Sequence, residues 1–219
     1  MSATRRTFLE RAACITALAG LGRSPASAWY ESDPFAALPA SAWANARRNG
    51  LVMVWRNPPA TLSPAATIMA ADEPGERLRV QGRIFAPDGN TPAVGVTVYA
   101  YNTDREGYYG AGRKEYPPRL HGWMKTDDTG RFELHTVMPG CYPDMQVPAH
   151  IHFVLWGGGY PLQWVDDMQF AGGRYLTAAM MAEDARKGRF ARVRPVERES
   201  NGELRAGFDI RLGDRCNFS

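Results

Sequence analysis

Short runs in which apolar and polar residues alternate one by one recur along this 219-residue chain. In the first run Leu78, Val80 and Ile84 fall on one face of an extended strand, while arginines and a glutamine fall on the other. Similar runs follow at residues 94–100, 132–136 and 208–212, with turn sequences such as Pro87-Asp88-Gly89-Asn90 and Asp127-Asp128-Thr129-Gly130 between them. Several short strands of this kind predict a mainly β fold, an antiparallel β-sandwich.

Two short helices are expected at the periphery of this sandwich. One runs from Ser41, a good N-cap residue, to Arg48 and ends before a glycine. The other is rich in Ala and Met, runs from Tyr175 to Lys187 and is closed by Gly188.

The N-terminus carries the surplus of positive charge. Residues 4–10 read TRRTFLE, and a weakly apolar stretch then ends in Ala26-Ser27-Ala28, an A-x-A cleavage pattern. This order resembles a twin-arginine export signal, which predicts a cleaved signal peptide at residues 1–28, recognition by the twin-arginine export machinery and a periplasmic or secreted protein. The alternative is a basic amphipathic first helix of the fold.

The remaining chain is divided into an N-terminal arm, residues 29–76, and the sandwich domain, residues 77–219. The apolar run from Ala12 to Gly22 has 11 residues, whereas a membrane-spanning helix needs about 20, so no membrane span is expected. Without the signal the chain has 22 basic and 22 acidic residues, and nucleic-acid binding therefore has no support from its charge.

Cysteine use follows from the predicted export. Cys14 leaves with the signal, while Cys141 and Cys216 remain in an oxidising compartment. We expect a disulfide between these two residues; the alternative is two unpaired thiols.

Two of the four histidines stand close together, as Pro148-Ala149-His150-Ile151-His152 at the start of an apolar strand. A spacing of two places both imidazoles on one face of the strand. The apolar residues that follow, up to Trp156, indicate a buried strand, where such a pair needs partners. The pair therefore favours half of a metal site over a polar strand face that happens to carry two histidines.

The usual further ligands are missing near this pair, because the nearest cysteine is single and no glutamate is close. Tyrosines are the alternative. Tyr142 precedes His150 by eight residues, and Tyr108 and Tyr109 follow Gly107 in the loop after the strand at residues 94–101.

The motifs around these residues resemble those of the intradiol ring-cleavage dioxygenases, the family of protocatechuate 3,4-dioxygenases and catechol 1,2-dioxygenases. Four motifs stand in the family's order over about residues 77–213: Asp-x-x-Gly-x-Tyr at residues 104–109, Gly-Trp-Met-Lys-Thr-Asp at 122–127, the segment from Gly130 to Pro143, and Pro-Ala-His-Ile-His-Phe at 148–153. Each motif is weak alone, but together they are specific.

The resemblance implies a non-haem Fe(III) ion bound by Tyr109, Tyr142, His150 and His152. Tyr142 and His152 would be axial, and Tyr109 and His150 equatorial beside a hydroxide. Two phenolates and a hydroxide offset the charge of Fe(III), and hard anionic oxygen ligands favour ferric over ferrous iron. No organic cofactor is implied.

The same resemblance implies an enzyme that opens the ring of a catechol-type aromatic between its two hydroxylated carbons and incorporates both atoms of O2. The partners are a small aromatic diol and O2, and a homo-oligomer is compatible with this function. Tyr142 is the implied catalytic residue, because it leaves the iron and carries a substrate proton.

Two positions depart from the family pattern. The family's catalytic arginine stands three residues before the first ligand histidine, where this chain has Val147. A glutamine on the strand after the histidine pair is also missing, and Asp167 is nearest in a loose alignment. Arg113, Arg119 or His121 could lie near the site and take the place of the missing arginine. The alternative is that these side chains are solvated or hydrogen-bonded within their own loop.

Two other functions stay open. Carboxypeptidase-regulatory-like and transthyretin-like sandwiches share such turns and bind partners without metal, and an iron-binding relative could act on another phenolic. The coincidence of Tyr109 with His150 and His152 favours the iron enzyme, since a metal-free module has no use for it.

Overall fold

The computed structural model describes residues 58–110 and 118–217. The predicted signal peptide, the helix predicted from Ser41 to Arg48, and Arg113 lie outside these residues. Within the described ranges the chain forms twelve strands and one α-helix. The elements are β1 Ala65–Thr67, β2 Arg77–Phe85, β3 Val96–Asn102, β4 Leu120–Lys125, β5 Arg131–Val137, β6 His150–Gly157, β7 Tyr160–Trp164, β8 Met168–Phe170, α1 Ala178–Ala185, β9 Val193–Arg194, β10 Glu197–Arg198, β11 Leu204–Gly207 and β12 Ile210–Arg211.

The strands form two sheets that pack face to face. The first has the order β1-β5-β2-β11-β10, with β12 also on β2, and the second has the order β4-β3-β6-β8-β9, with β7 also on β6. The predicted β-sandwich is thus confirmed. The central pairs are antiparallel, but β1–β5, β2–β11, β2–β12 and β8–β9 are parallel, because these strands reach their neighbours through connections longer than a hairpin.

The main core fills the space between the two sheets. Every second residue of the central strands points inward, as the alternation predicts. These inward residues include Leu78, Val80, Ile84, Val96, Val98, Phe132, Leu134, Ile151, Phe153 and Leu155. Ile68, directly after β1, joins the same core, so this part of the predicted N-terminal arm packs with the sandwich.

A second apolar layer lies on the outer face of the second sheet. Strands β3 and β6 are buried on both faces, which alternation of polar and apolar residues would not show. Their outer side chains form an aromatic cluster that contains Tyr99, Tyr101, Val154 and Trp156, with Trp123 and Trp164 packed against it. The outer face of β6 also carries both histidines of the sequence motif.

The helix is shorter than predicted. It spans Ala178–Ala185 instead of starting at Tyr175, because Tyr175 has a left-handed backbone with φ of 71°. Thr177 is the N-cap, and its side chain accepts a hydrogen bond from the backbone N–H of Met180. A single 3-10 turn, Gly188–Phe190, follows.

The disulfide prediction is wrong, because among the described residues no disulfide joins Cys141 to Cys216. Cys141 lies in the loop before Tyr142, where its carbonyl oxygen faces Gly107. Cys216 instead packs against the aromatic cluster on the second sheet. Two cysteines left over in a sequence do not determine the distance between their segments. In the described part of the chain, no helix has the length and apolar character needed to cross a membrane.

Candidate metal centre

Four side chains from three segments meet on the outer face of the second sheet. The phenol oxygens of Tyr109 and Tyr142 are 2.5 Å apart. Tyr109 Oη is 2.8 Å from His152 Nε2, and Tyr142 Oη is 3.1 Å from His150 Nε2. The two Nε2 atoms are 3.0 Å apart. We call these four atoms the donor cluster; they are the atoms of all four residues singled out in the sequence.

Strand β6 places the two histidines. Their side chains are on the outer face while Ile151 between them enters the main core, as a spacing of two predicts. Both imidazoles are buried, with 7% and 8% of the residue exposed for His150 and His152. Tyr101, the cross-strand partner of His152 on β3, stacks on the His152 ring at a centroid distance of 4.4 Å.

The loop that carries Tyr109 is closed by its own hydrogen bonds. The Asp104 side chain accepts from the backbone N–H groups of Glu106 and Tyr108, and the Asp104 N–H donates to the Tyr108 carbonyl. Gly107 completes the turn with φ of +90°, a conformation that favours glycine.

The loop that carries Tyr142 lies directly against the Tyr109 loop. A Cβ atom on Gly107 would lie 2.0 Å from the Cys141 carbonyl oxygen, and one on Gly140 would lie 2.4 Å from the Arg105 carbonyl oxygen. The N–H of Gly140 donates to the Asp104 carbonyl at 2.8 Å. Two glycines thus permit the approach that brings both phenols into the donor cluster.

An ion pair between Arg119 and Glu73 supports the loop that carries Tyr109. Arg119 donates to both carboxylate oxygens of Glu73, whose residue is only 6% exposed, and lies 3.5 Å from Asp104. The hydrogen bond to Glu73 raises the pKa of Arg119. The Arg119 N–H also donates to the Tyr109 carbonyl at 2.7 Å. Arg119 is therefore engaged in this ion pair. No sequence pattern points to Glu73, which lies 46 residues away.

His121, also considered in the sequence, belongs to the aromatic cluster. Its Nδ1 donates to the Pro118 carbonyl, and its ring packs edge-on against Trp123 at a centroid distance of 5.2 Å. It is thus held by contacts outside the donor cluster.

The donor cluster has fewer protons than short contacts. His150 Nδ1 lies 2.7 Å from the Pro148 carbonyl, which can only accept, so this nitrogen holds the proton and Nε2 presents a lone pair. His152 Nδ1 lies 2.7 Å from the Asp167 carboxylate, with the same consequence. The two phenol protons can each be donated to one Nε2 atom, so two of the four contacts contain no hydrogen, among them the 3.0 Å contact between the two Nε2 atoms.

Burial strengthens this arrangement. Desolvation, with His152 as the second cause, lowers the pKa of His150 and favours its neutral form. Protonation of His150 at Nε2, which would supply the missing hydrogen between the two imidazoles, is therefore disfavoured.

Converging lone pairs of this kind fit a metal ion. Two ligands about 2.0–2.1 Å from one ion and at right angles are about 2.9 Å apart, close to the separations of 2.5–3.1 Å in the donor cluster. Two phenol oxygens and two imidazoles are a hard, anionic set of ligands that suits a trivalent ion better than a soft one.

The contact between Asp167 and His152 could not be predicted from the sequence. Asp167 lies between β7 and β8, and with the His150 and His152 nitrogens its carboxylate forms a group within 4.8 Å. Strand pairing explains its position: His150 pairs with Gln169 and Ile151 with Met168, so the next step of the register sets His152 opposite Asp167.

Comparison with known proteins places this geometry in a family. The family model described as "Dioxygenase" matches residues 55–214, well over half of the chain. Curated relatives include two named intradiol enzymes. Chlorocatechol 1,2-dioxygenase of Rhodococcus opacus is 30% identical over 136 residues, covering 53% of this chain and 52% of that protein. The chain belongs to the intradiol dioxygenase family.

Other members support the same assignment. The protocatechuate 3,4-dioxygenase beta chain of Burkholderia cepacia is 30% identical over 113 residues, 47% of this chain and 48% of that protein. The chain thus spans about half the length of these curated relatives.

Solved structures share the fold. The 3-chlorocatechol 1,2-dioxygenase of Rhodococcus opacus 1CP aligns with a TM-score of 0.55 at 19% identity, over 74% of this chain and 69% of that one. The dioxygenase domain of a carbohydrate-binding fusion protein from Streptomyces sp. SirexAA-E aligns with a TM-score of 0.53 at 23% identity, over 71% and 92%. The sandwich is therefore the fold of solved intradiol dioxygenases.

Within this intradiol dioxygenase fold, Val147 lies half-buried three residues before His150. Valine supplies no charge at this place. Among the described residues, the Asp167 carboxylate contacts the donor-cluster histidines, at Nδ1 of His152.

Proposed function

We propose that this chain is a non-haem Fe(III) intradiol dioxygenase that opens the ring of a catechol-type aromatic with O2. Tyr109, Tyr142, His150 and His152 are the iron ligands in this proposal. The observation that carries it is the donor cluster, in which two phenol oxygens and two imidazole nitrogens converge within 2.5–3.1 Å of their neighbours, closer together than their two phenol protons require.

When bound, ferric iron supplies a Lewis acid to the two oxygens of a catechol. The residues of this chain supply the rest. Two phenolates offset two of the three positive charges, so the buried site tolerates the ion at a low cost in desolvation. Tyr101 and Trp164 pack on His152 and hold its ring in place.

The two tyrosines have different surroundings, which supports different roles. Tyr109 is 7% exposed and lies on the loop braced by Arg119. Tyr142 is half-buried and lies beside the exposed segment 143–146. We assign to Tyr142 Oη the acceptance of a proton from a substrate hydroxyl, because Tyr142 is the more exposed of the two tyrosines and is followed directly by the exposed residues 143–146.

The test is a purified protein loaded with iron, its visible spectrum and its reaction with a panel of catechols. We expect one iron per chain, a phenolate-to-iron charge-transfer band that colours the protein red-brown, and muconate-type diacids as products. A colourless protein after iron loading, or one that prefers zinc, would contradict the proposal.

The donor cluster also weighs against the alternative of a metal-free binding module of the transthyretin-like or carboxypeptidase-regulatory-like type. Such a module gains nothing from two imidazole nitrogens 3.0 Å apart with no hydrogen between them. An iron-binding relative that acts on another phenolic would give the same colour and differ only in the substrate panel.

Export is part of the proposal. The paired Arg5 and Arg6 and the motif Ala26-Ser27-Ala28 support a twin-arginine signal and a periplasmic or secreted enzyme. Replacing Arg5 and Arg6 by lysine should leave unprocessed protein in the cytoplasm. Unchanged processing and localisation would rule this out.

A further inference from the structure

The two histidines of the donor cluster have different partners at Nδ1. His150 Nδ1 donates to a neutral backbone carbonyl, that of Pro148, at 2.7 Å. His152 Nδ1 donates to the Asp167 carboxylate, also at 2.7 Å. A carboxylate on the far nitrogen of an imidazole fixes its tautomer and makes the near nitrogen a stronger donor.

Asp167 is held where this contact requires it. It follows the strand register of β6 and β8 opposite His152. Its neighbour Asp166 accepts a hydrogen bond from Lys187 at 2.6 Å, which ties the segment between β7 and β8 to the chain two residues after helix α1. The Asp167 side chain is 29% exposed, so its carboxylate keeps part of its hydration.

The contact geometry excludes a direct place for Asp167 among the four donors. Its oxygen lies against Nδ1 of His152, whereas Tyr109 Oη and His150 Nε2 contact the same ring at Nε2. The two nitrogens are on different sides of the imidazole. Asp167 therefore acts through His152.

We propose that Asp167 is a positioning residue that holds His152 in the Nδ1–H tautomer and adds negative charge to it, so that Nε2 is a strong electron donor to the iron. This inference rests on the proposed function for the iron, but its tautomeric part holds for the metal-free protein. The Asp167 carboxylate thereby raises the electron density that His152 supplies to the metal.

The first experiment uses metal-free protein and ¹⁵N-detected imidazole NMR at a pH where the histidines are neutral. In the wild type we expect His152 with a proton on Nδ1 and a bare Nε2. Asp167→Ala should populate both tautomers of His152. Asp128→Asn, which changes an exposed carboxylate in the turn between β4 and β5, is the control and should leave the wild-type pattern.

The second experiment uses the iron-loaded protein. Asp167→Asn retains an acceptor oxygen but removes the charge, so we expect a charge-transfer band shifted to longer wavelength, because a less electron-rich ion accepts phenolate electrons more easily. Asp167→Ala should weaken iron binding about 10- to 100-fold.

The proposal is overturned if Asp167→Ala keeps the wild-type tautomer and both Asp167 variants match Asp128→Asn in iron affinity and band position. If the wild type takes up no iron, the proposed function fails by itself, and the tautomer populations of the metal-free proteins then decide the role of Asp167.

Discussion

His150 Nε2 and His152 Nε2 lie 3.0 Å apart, although each ring has its proton committed to an acceptor at Nδ1. The contact between these two nitrogens therefore contains no hydrogen, and their lone pairs repel each other unless each faces a phenol proton or a cation. The strand, the two loops and the surrounding aromatic residues thus hold together an arrangement that the side chains would not adopt alone. A metal ion bound by these two nitrogens would remove the repulsion between their lone pairs. Because the ion would bind only the folded state, it would also raise the free energy of unfolding.

The two tyrosines should respond differently to loss of the hydroxyl. Tyr109→Phe removes a buried donor on a braced loop and should abolish iron retention together with the charge-transfer band. Tyr142→Phe should retain iron with an altered spectrum and lose ring cleavage, since it removes the proton acceptor. Tyr108→Phe, next to Tyr109, is the control. Metal analysis and visible spectra measure both effects, and equal iron loss in Tyr108→Phe would contradict the assignment.

Gly107 should be essential for the contact between the two tyrosine loops. Gly107 and Gly159 have the same φ of +90°, but only at Gly107 would a Cβ atom meet another group, the Cys141 carbonyl at 2.0 Å. We expect Gly159→Ala to lower the free energy of unfolding by about 1 kcal/mol through its backbone alone, and Gly107→Ala by about 3 kcal/mol or more. Denaturant unfolding measures the difference; similar losses in both variants would show that the loop contact yields easily.

Glu73 should stabilise the loop of Tyr109 through Arg119. Glu73→Gln keeps the shape of a nearly inaccessible side chain but removes its charge from two hydrogen bonds, and we expect a loss of about 1–3 kcal/mol in the free energy of unfolding. Glu76→Gln disrupts an exposed ion pair with Arg198 and should cost at most about 0.5 kcal/mol. Of these two variants, only Glu73→Gln should also retain iron less well. An unchanged free energy of unfolding in Glu73→Gln would show that the Glu73–Arg119 ion pair does not stabilise the Tyr109 loop.

Val147 should limit the rate on simple substrates. A positive group beside the bound ring would stabilise negative charge that develops as the ring attacks O2, and losing one such group costs about 100- to 1000-fold in rate. We expect slow cleavage of unsubstituted catechol and a rise of about 10- to 100-fold in kcat for Val147→Arg, measured as oxygen uptake.

Val147→Leu is the control for a change in size and should stay slow. Because Arg119 is bound to Glu73 and Asp104, Arg119→Ala should lower the free energy of unfolding and have little effect on kcat. Fast turnover of plain catechol by the wild type would contradict the expected limit.

Alternation along the chain was sufficient to predict the sandwich, because the period of a strand is two whatever surrounds it. It placed Leu78 and Val80 in the core and set His150 and His152 on one face, and both predictions are confirmed. It failed for Tyr175, where a left-handed residue delays the helix, since one backbone angle leaves no trace in periodicity. It failed also for the disulfide, since composition contains no distances.

The sequence by itself determined which residue types stand at which spacing: two histidines on one strand, two tyrosines on glycine-containing loops, and the strands that carry them. Only the tertiary structure decided that the loops touch through Gly107 and Gly140, that Glu73 captures Arg119, and that Asp167 comes opposite His152. The physical reason is that local spacing follows from backbone geometry, whereas contacts between segments 15 to 46 residues apart depend on strand register and on how closely two backbones can pack.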